Sequence, residues 1–210
     1  MNHPYLILFD YDGVIVDSLD VFANAFLASC HASGFDGITS QDQFTALLDG
    51  NFYESLKQYG LSKKRISAIL GERFTRELQN SIHAIALFKG VKSMLTSLAA
   101  RHKLIVVTSN VAHVVQQFFE REKITCFESV LGAEVEKSKV RKIQKAMSRH
   151  RERPAFYVGD TRGDIIEGRQ AGTVTVAAAW GWHSKAKLAE TNPDYMVDTP
   201  ADLVKLFENI

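Results

Sequence analysis

Only two of the 210 residues are cysteine, Cys30 and Cys126. Two are too few for a disulfide framework and offer no C-x-x-C zinc spacing, so both read as buried free thiols in a reducing compartment. Neither sign of charge is in excess: 25 basic side chains face 24 acidic ones, for a net charge of +1. That balance supplies no overall field to draw nucleic acid or an anionic membrane. Long apolar runs are also lacking. The first, Tyr5 to Phe9, is cut short by Asp10 and follows no basic region, unlike a signal peptide. The longest later one, Val174 to Gly181, falls far short of the ~20 apolar residues that span a bilayer. These absences predict a cytoplasmic protein with no nucleic-acid or membrane partner. The 46% of hydrophobic residues excludes disorder, and the length suits one large domain or a core with a smaller insert.

Four short apolar runs read as fully buried strands: Tyr5–Phe9, Leu104–Val107, Ala155–Val158 and Val174–Ala177. Because they do not alternate with polar residues, they fit a parallel sheet covered on both faces. Helical stripes lie between them: Val91, Met94, Leu95 and Leu98; Val111, Val114, Val115, Phe118 and Phe119; Val140, Ile143, Ala146 and Met147. Thr199-Pro200 offers an N-cap and first helical residue for Leu203, Val204, Leu206 and Phe207. This alternation predicts a doubly wound, Rossmann-like α/β sheet. Residues 17–87 break the rhythm, with helical stripes, glycine turns and no convincing strand. Some 70 residues are too many for a loop. The expectation is an all-helical cap at 17–87, inserted into an α/β core made of 1–16 and 88–210.

The chemistry gathers at strand ends. Phe9-Asp10-Tyr11-Asp12-Gly13 places two carboxylates just beyond the first strand, followed by a glycine that permits a sharp turn. Like charges ~4 Å apart repel by several kcal/mol at an effective dielectric near 20, so the pair needs a neutralising partner or solvent. Val158-Gly159-Asp160-Thr161-Arg162-Gly163-Asp164 places two more after another buried strand. Ligands of open parallel sheets bind at the carboxyl ends of the strands. Four acids gathered there raise one another's pKa or bind a cation, and oxygen-only ligands select a hard ion, Mg²⁺ being the usual one beside phosphate. Thr108-Ser109-Asn110, between a strand and a helix, is either an anion site or a plain N-cap. Lys137 and Lys139 are candidates for a cation that balances phosphate.

The order D-x-D-G, strand plus Thr-Ser, Lys, then G-D-x-x-x-D resembles the haloacid dehalogenase (HAD) superfamily. It is similar in particular to its helical-cap phosphatases of the phosphoglycolate phosphatase kind. The tail Trp180-Gly181-Trp182-His183 with Asp194-Tyr195 strengthens the likeness. The resemblance implies that Asp10 is the nucleophile and Asp12 the general acid/base. It implies that Asp10, the Asp12 carbonyl, Asp160 and Asp164 hold Mg²⁺, and that Thr108 and the Ser109 N–H hold phosphoryl oxygens. For the lysine, spacing back from Ile143 and Ala146 favours Lys137, and spacing on from Gly132-Ala133-Glu134-Val135 favours Lys139. Lys137 is preferred. The family's Lys-Pro is absent at both.

Asp12 excludes the dehalogenases themselves, whose halide leaving group needs no proton. The implied activity is hydrolysis of a small phosphorylated metabolite, phosphoglycolate first. A phosphosugar mutase shares the four motifs and stands second; a catalytically idle binding protein of the same fold is the alternative from another class. Gly50, Asn51 and Phe52 are candidates for a specificity loop reaching over the site. The eight Lys and Arg side chains between 137 and 153 are read as the wet face of one helix, and His183 as part of a surface loop.

Overall fold

The computed structural model describes residues 4–50 and 52–210. The chain enters on β1 (Leu6–Phe9), makes a two-residue strand β2 (Val16–Asp17), and then turns helical. The helices are α1 (Leu19–Ala32), α2 (Gln41–Ala46), α3 (Phe52–Gln58), α4 (Lys63–Ile69) and α5 (Glu72–Ser81), ending at β3 (Ala86–Leu87). Strand and helix then alternate through α6 (Val91–Ala99), β4 (Lys103–Val107), α7 (Ala112–Glu122), β5 (Phe127–Leu131) and α8 (Lys139–Arg149). The chain closes with β6 (Ala155–Gly159), α9 (Arg162–Ala171), β7 (Val174–Ala178), α10 (Lys185–Ala189), β8 (Tyr195–Val197) and α11 (Pro200–Asn209).

Six strands form one sheet in the order β5-β4-β1-β6-β7-β8, every pairing parallel. Side chains alternate between its faces. Ile7, Phe9, Leu104, Val106, Phe156 and Val158 meet α6, α7 and α11 on one side. Leu6, Leu8, Ile105, Val107 and Tyr157 meet Ile143 and Ala146 of α8 and Ala171 of α9 on the other. Helices on both faces make the sheet doubly wound. From β1 the chain proceeds outward through β4 and β5, then crosses to β6 on β1's opposite side. The crevice between β1 and β6 is therefore the topological switch point.

Two strands depart from expectation. β5 carries Glu128 and Ser129 and is half-exposed at the sheet edge, so it shows no apolar run. β8 has only three residues. The antiparallel ribbon of β2 and β3 also escaped the sequence reading, because two-residue strands carry no periodicity. That ribbon brackets the helical segment, which has its own core: Phe26, Cys30, Ile38, Phe44, Leu47, Leu56, Ile66 and Ile69. Cys30 is buried there and Cys126 is half-buried, both as free thiols. Among the described residues no helix is long and apolar enough to cross a membrane.

Phe26 is fully buried, with its ring 5.3 Å from that of Phe44 and 5.9 Å from that of Phe52. Phe26→Ala should cost about 3–5 kcal/mol through lost transfer energy and the cavity left behind. The midpoint of urea unfolding reads this directly, and an unchanged midpoint would contradict the packing described.

Candidate active site

Each strand end at the switch point delivers a buried polar residue. Asp10 follows β1, Thr108 follows β4, and Asp160 follows β6. Asp164 sits in the first turn of α9, where Thr161 is the N-cap in a reciprocal capping box. Two glycines let these ends converge. Gly13 has φ +79°, and a Cβ on it would lie 1.9 Å from Asp160 Oδ2. A Cβ on Gly181 would lie 2.4 Å from the Gly13 carbonyl oxygen.

Lys139, the first residue of α8, joins the group. Its Nζ lies 2.6 Å from Asp10 Oδ2 and 2.6 Å from Asp164 Oδ1. Asp10 Oδ1 accepts from the Tyr11 N–H at 2.8 Å. Asp164 also accepts from the Tyr157 hydroxyl at 3.1 Å, and from the N–H and hydroxyl of Thr161 at 3.1 and 2.6 Å. Asp160 Oδ2 accepts from the Trp182 N–H at 2.7 Å, while its Oδ1 is buried without a partner among the described residues. The Asp12 carboxylate accepts from the Ser18 hydroxyl at 2.8 Å.

Carboxylate oxygens of Asp10, Asp160 and Asp164 lie within 4.8 Å of one another. Three acids against one ammonium leave an excess of two negative charges in a dry site. The orphaned Asp160 Oδ1 and the all-oxygen donor set fit a hard divalent cation. Without one, protons take up the excess. Burial pushes Asp10 up to about 8 against the pull of Lys139, and burial with the neighbouring Asp164 and Asp10 charges holds Asp160 far above the usual carboxylate range. Burial also raises Asp12, to about 6. At Asp164 burial is outweighed by Lys139 and Thr161, which keep it below its ordinary value.

Several sequence expectations change here. Lys137 is exposed and precedes the N-cap Ser138, so it stands outside the helix and outside the cluster. Lys139 occupies the place assigned to Lys137. Thr108 is fully buried and its hydroxyl accepts from the Asn110 N–H at 2.9 Å, whereas Ser109 is exposed. Two of the basic residues read as a wet helix face, Lys139 and Lys142, are buried or nearly so. His183 is 2% exposed instead of lying on a surface loop. Its Nδ1 accepts from the Arg162 N–H at 3.0 Å, which leaves the proton on Nε2 to donate to the Thr45 carbonyl at 2.9 Å. The Gly50 carbonyl oxygen lies so close over Gly163 that a Cβ there would be 2.8 Å away. Phe52 instead packs into the core of the helical segment, and Asn51 lies outside the described residues. Ser18 and Tyr157 were missed, although a serine before a helical stripe and a phenol within an apolar strand both need polar partners.

Comparison with known proteins identifies the family. A sequence profile described as haloacid dehalogenase-like hydrolase matches residues 7–178. The chain is 31% identical over 205 residues to a phosphoglycolate phosphatase of Synechococcus elongatus, covering 95% of each. It is 25% identical over 210 residues to the pyrophosphatase PpaX of Anoxybacillus flavithermus, again covering 95% of each. A solved haloacid dehalogenase-like hydrolase from Streptococcus pneumoniae superposes with a TM-score of 0.82 at 25% identity, over 99% of this chain and 100% of that one. Fold and site define an α/β enzyme with a carboxylate centre. More narrowly, the chain belongs to the haloacid dehalogenase-like hydrolase family.

A pH-dependent stability follows from the raised carboxylates. Folding takes up protons at Asp10 and Asp160, so their contribution is complete below the ordinary carboxylate range and is lost as pH rises toward the folded values. The melting temperature of chelator-treated protein should therefore fall between about pH 5 and about pH 8. Added Mg²⁺ should raise it more at the upper end, by ~3 °C or more. A Mg²⁺ effect that is equal at both pH values would contradict the charge assignment.

Proposed function

We infer that this hydrolase is a divalent-metal-dependent phosphatase of small phosphorylated metabolites, working through an aspartyl-phosphate on Asp10. The observation that carries the reading is the buried Asp10–Lys139–Asp164–Asp160 cluster at the sheet's switch point, with Asp12 two residues from Asp10. Asp10, Asp160 and Asp164 would hold Mg²⁺, with the Asp12 carbonyl as the family pattern implies. Bound there, the ion would keep Asp10 ionised and neutralise phosphoryl charge.

The protein's own groups divide the remaining work. An Asp10 oxygen attacks phosphorus while the bond to the ester oxygen breaks. That oxygen takes a proton from Asp12, whose raised pKa of about 6 makes the acid form accessible near neutrality. Deprotonated Asp12 then accepts a proton from water as the water oxygen attacks phosphorus, releasing orthophosphate and the free Asp10 carboxylate. Lys139 keeps a positive charge beside the transferring group throughout, since Asp10 and Asp164 hold its pKa up against the pull of burial. Thr108 and the Ser109 N–H would receive phosphoryl oxygens. We treat the helical segment, roughly residues 17–87, as a cap that closes over α9 through residues 47–50; the substrate is accordingly small. The Synechococcus relative makes phosphoglycolate the first candidate, and the Anoxybacillus relative makes pyrophosphate the second.

Phosphate release from a panel containing both compounds, with Mg²⁺ and with chelator, tests the reading. Chelator-sensitive release is expected, and Asp10→Asn should fold normally while losing turnover. Isomerisation of a phosphosugar without phosphate release would instead make the protein a mutase. The two lysines give a separate check. Lys139→Ala should lower kcat/KM by about 100-fold or more, whereas Lys137→Ala should stay within about twofold. A loss in Lys137→Ala with Lys139→Ala left within about twofold would return the role to Lys137.

A further inference from the structure

Lys142 lies one turn beyond Lys139 on α8 and is completely buried, an unusual state for a lysine. Its Nζ donates to the Thr108 carbonyl oxygen at 2.5 Å. Thr108 is fixed twice more: its N–H donates to the Leu131 carbonyl at 3.1 Å, and its hydroxyl accepts from the Asn110 N–H at 2.9 Å. The carbonyl gripped by Lys142 belongs to the same peptide unit as the Ser109 N–H. The peptide bonds of the described residues are all trans, and in a planar trans peptide the C=O and N–H point in opposite directions. A cation on the carbonyl therefore sets the direction of the Ser109 N–H. It also draws electron density out of the peptide and makes that N–H a stronger donor.

We propose that Lys142 is a positioning residue for phosphoryl binding, clamping the Thr108–Ser109 peptide so that a polarised Ser109 N–H is presented to a phosphoryl oxygen on the side opposite the lysine. The proposal rests on the phosphatase reading, and it deepens the role of one site peptide. The groups that act on the amine come from several sides: Lys139 on its own helix, Asp10 at the end of β1, Glu167 on α9 and Glu134 in the segment before α8. Burial and Lys139 lower the Lys142 pKa to about 8 while the three acids hold it up, so the clamp is a cation at neutral pH that can be discharged within a usable range.

The test follows the Ser109 amide by ¹⁵N–¹H NMR, in Mg²⁺ buffer, with orthophosphate as the probe. Lys142→Met keeps the length and apolar stem and leaves no charge to bury. It should move the Ser109 amide proton upfield and weaken orthophosphate binding about tenfold, the scale of one charge-assisted hydrogen bond, without lowering the melting temperature. The wild type supplies a second measurement that needs no variant. As pH passes about 8, the Ser109 amide should shift in step with the Lys142 ¹³Cε resonance, a co-titration absent from Lys142→Met. If orthophosphate binds both proteins equally, or the Ser109 amide ignores Lys142, the proposal is overturned and the phosphatase reading stands. If the wild type neither binds orthophosphate nor releases phosphate from any ester, both are overturned.

Discussion

The ammonium of Lys139, held 2.6 Å from both Asp10 and Asp164, is the contact on which the rest of the site depends. Carboxylates this close and this dry repel one another, and each would otherwise take a proton. Lys139 resolves the conflict unevenly. Asp164, which also receives the Thr161 capping bonds and the Tyr157 hydroxyl, stays ionised; Asp10 and Asp160 are left with more negative charge than their surroundings can settle. A structural ion pair would be balanced. This cluster is short of positive charge by two, a deficit that matches the charge of a divalent cation.

Such a cluster exists only because the fold concentrates chain ends. A parallel sheet sends all its strands the same way, so β1, β4 and β6 deliver Asp10, Thr108 and Asp160 to one rim. The connections then have to cross one another at contact distance, which is possible only where Gly13 and Gly181 lack side chains. The covering helices contribute the rest from the opposite direction, since α8 and α9 begin where the strands end. Lys139 and Asp164 accordingly come from first helical turns.

The strands of the sheet interior were legible as continuous apolar runs because both of their faces are covered. β5 was not, since an edge strand keeps polar residues. The acids were legible for a related reason: ionisable residues immediately after a buried run need an explanation, whatever the fold. The lysine was harder. Counting back from Ile143 to Lys137 takes no account of where the helix starts. Ser138 accepts from the Arg141 N–H and starts it at Lys139, four residues before Ile143 and seven before Ala146, on the buried face. That phase was present in the sequence and was outweighed by family spacing. The burial of His183 could not be read in the same way, because it arises from a contact with Thr45, 138 residues away.

That long-range contact belongs to a loop that serves both halves of the molecule. The Trp182 N–H bonds Asp160, while its indole ring lies 6.0 Å from Phe22 and 6.0 Å from Phe44 of the helical segment. His183, the next residue, is kept neutral by burial and ties the Arg162 N–H at the start of α9 to the Thr45 carbonyl on α2. Lys187 adds an ion pair to Asp49 at 2.6 Å. Lifting the helical segment away from the sheet would strip Trp182 of two aromatic neighbours and His183 of its acceptor, in a loop whose backbone holds an acid of the cluster. The covering of the site and the geometry of its carboxylates are thus not independent. The loop after β7 ties the placement of Asp160 to the packing of a segment that lies more than 130 residues earlier in the chain.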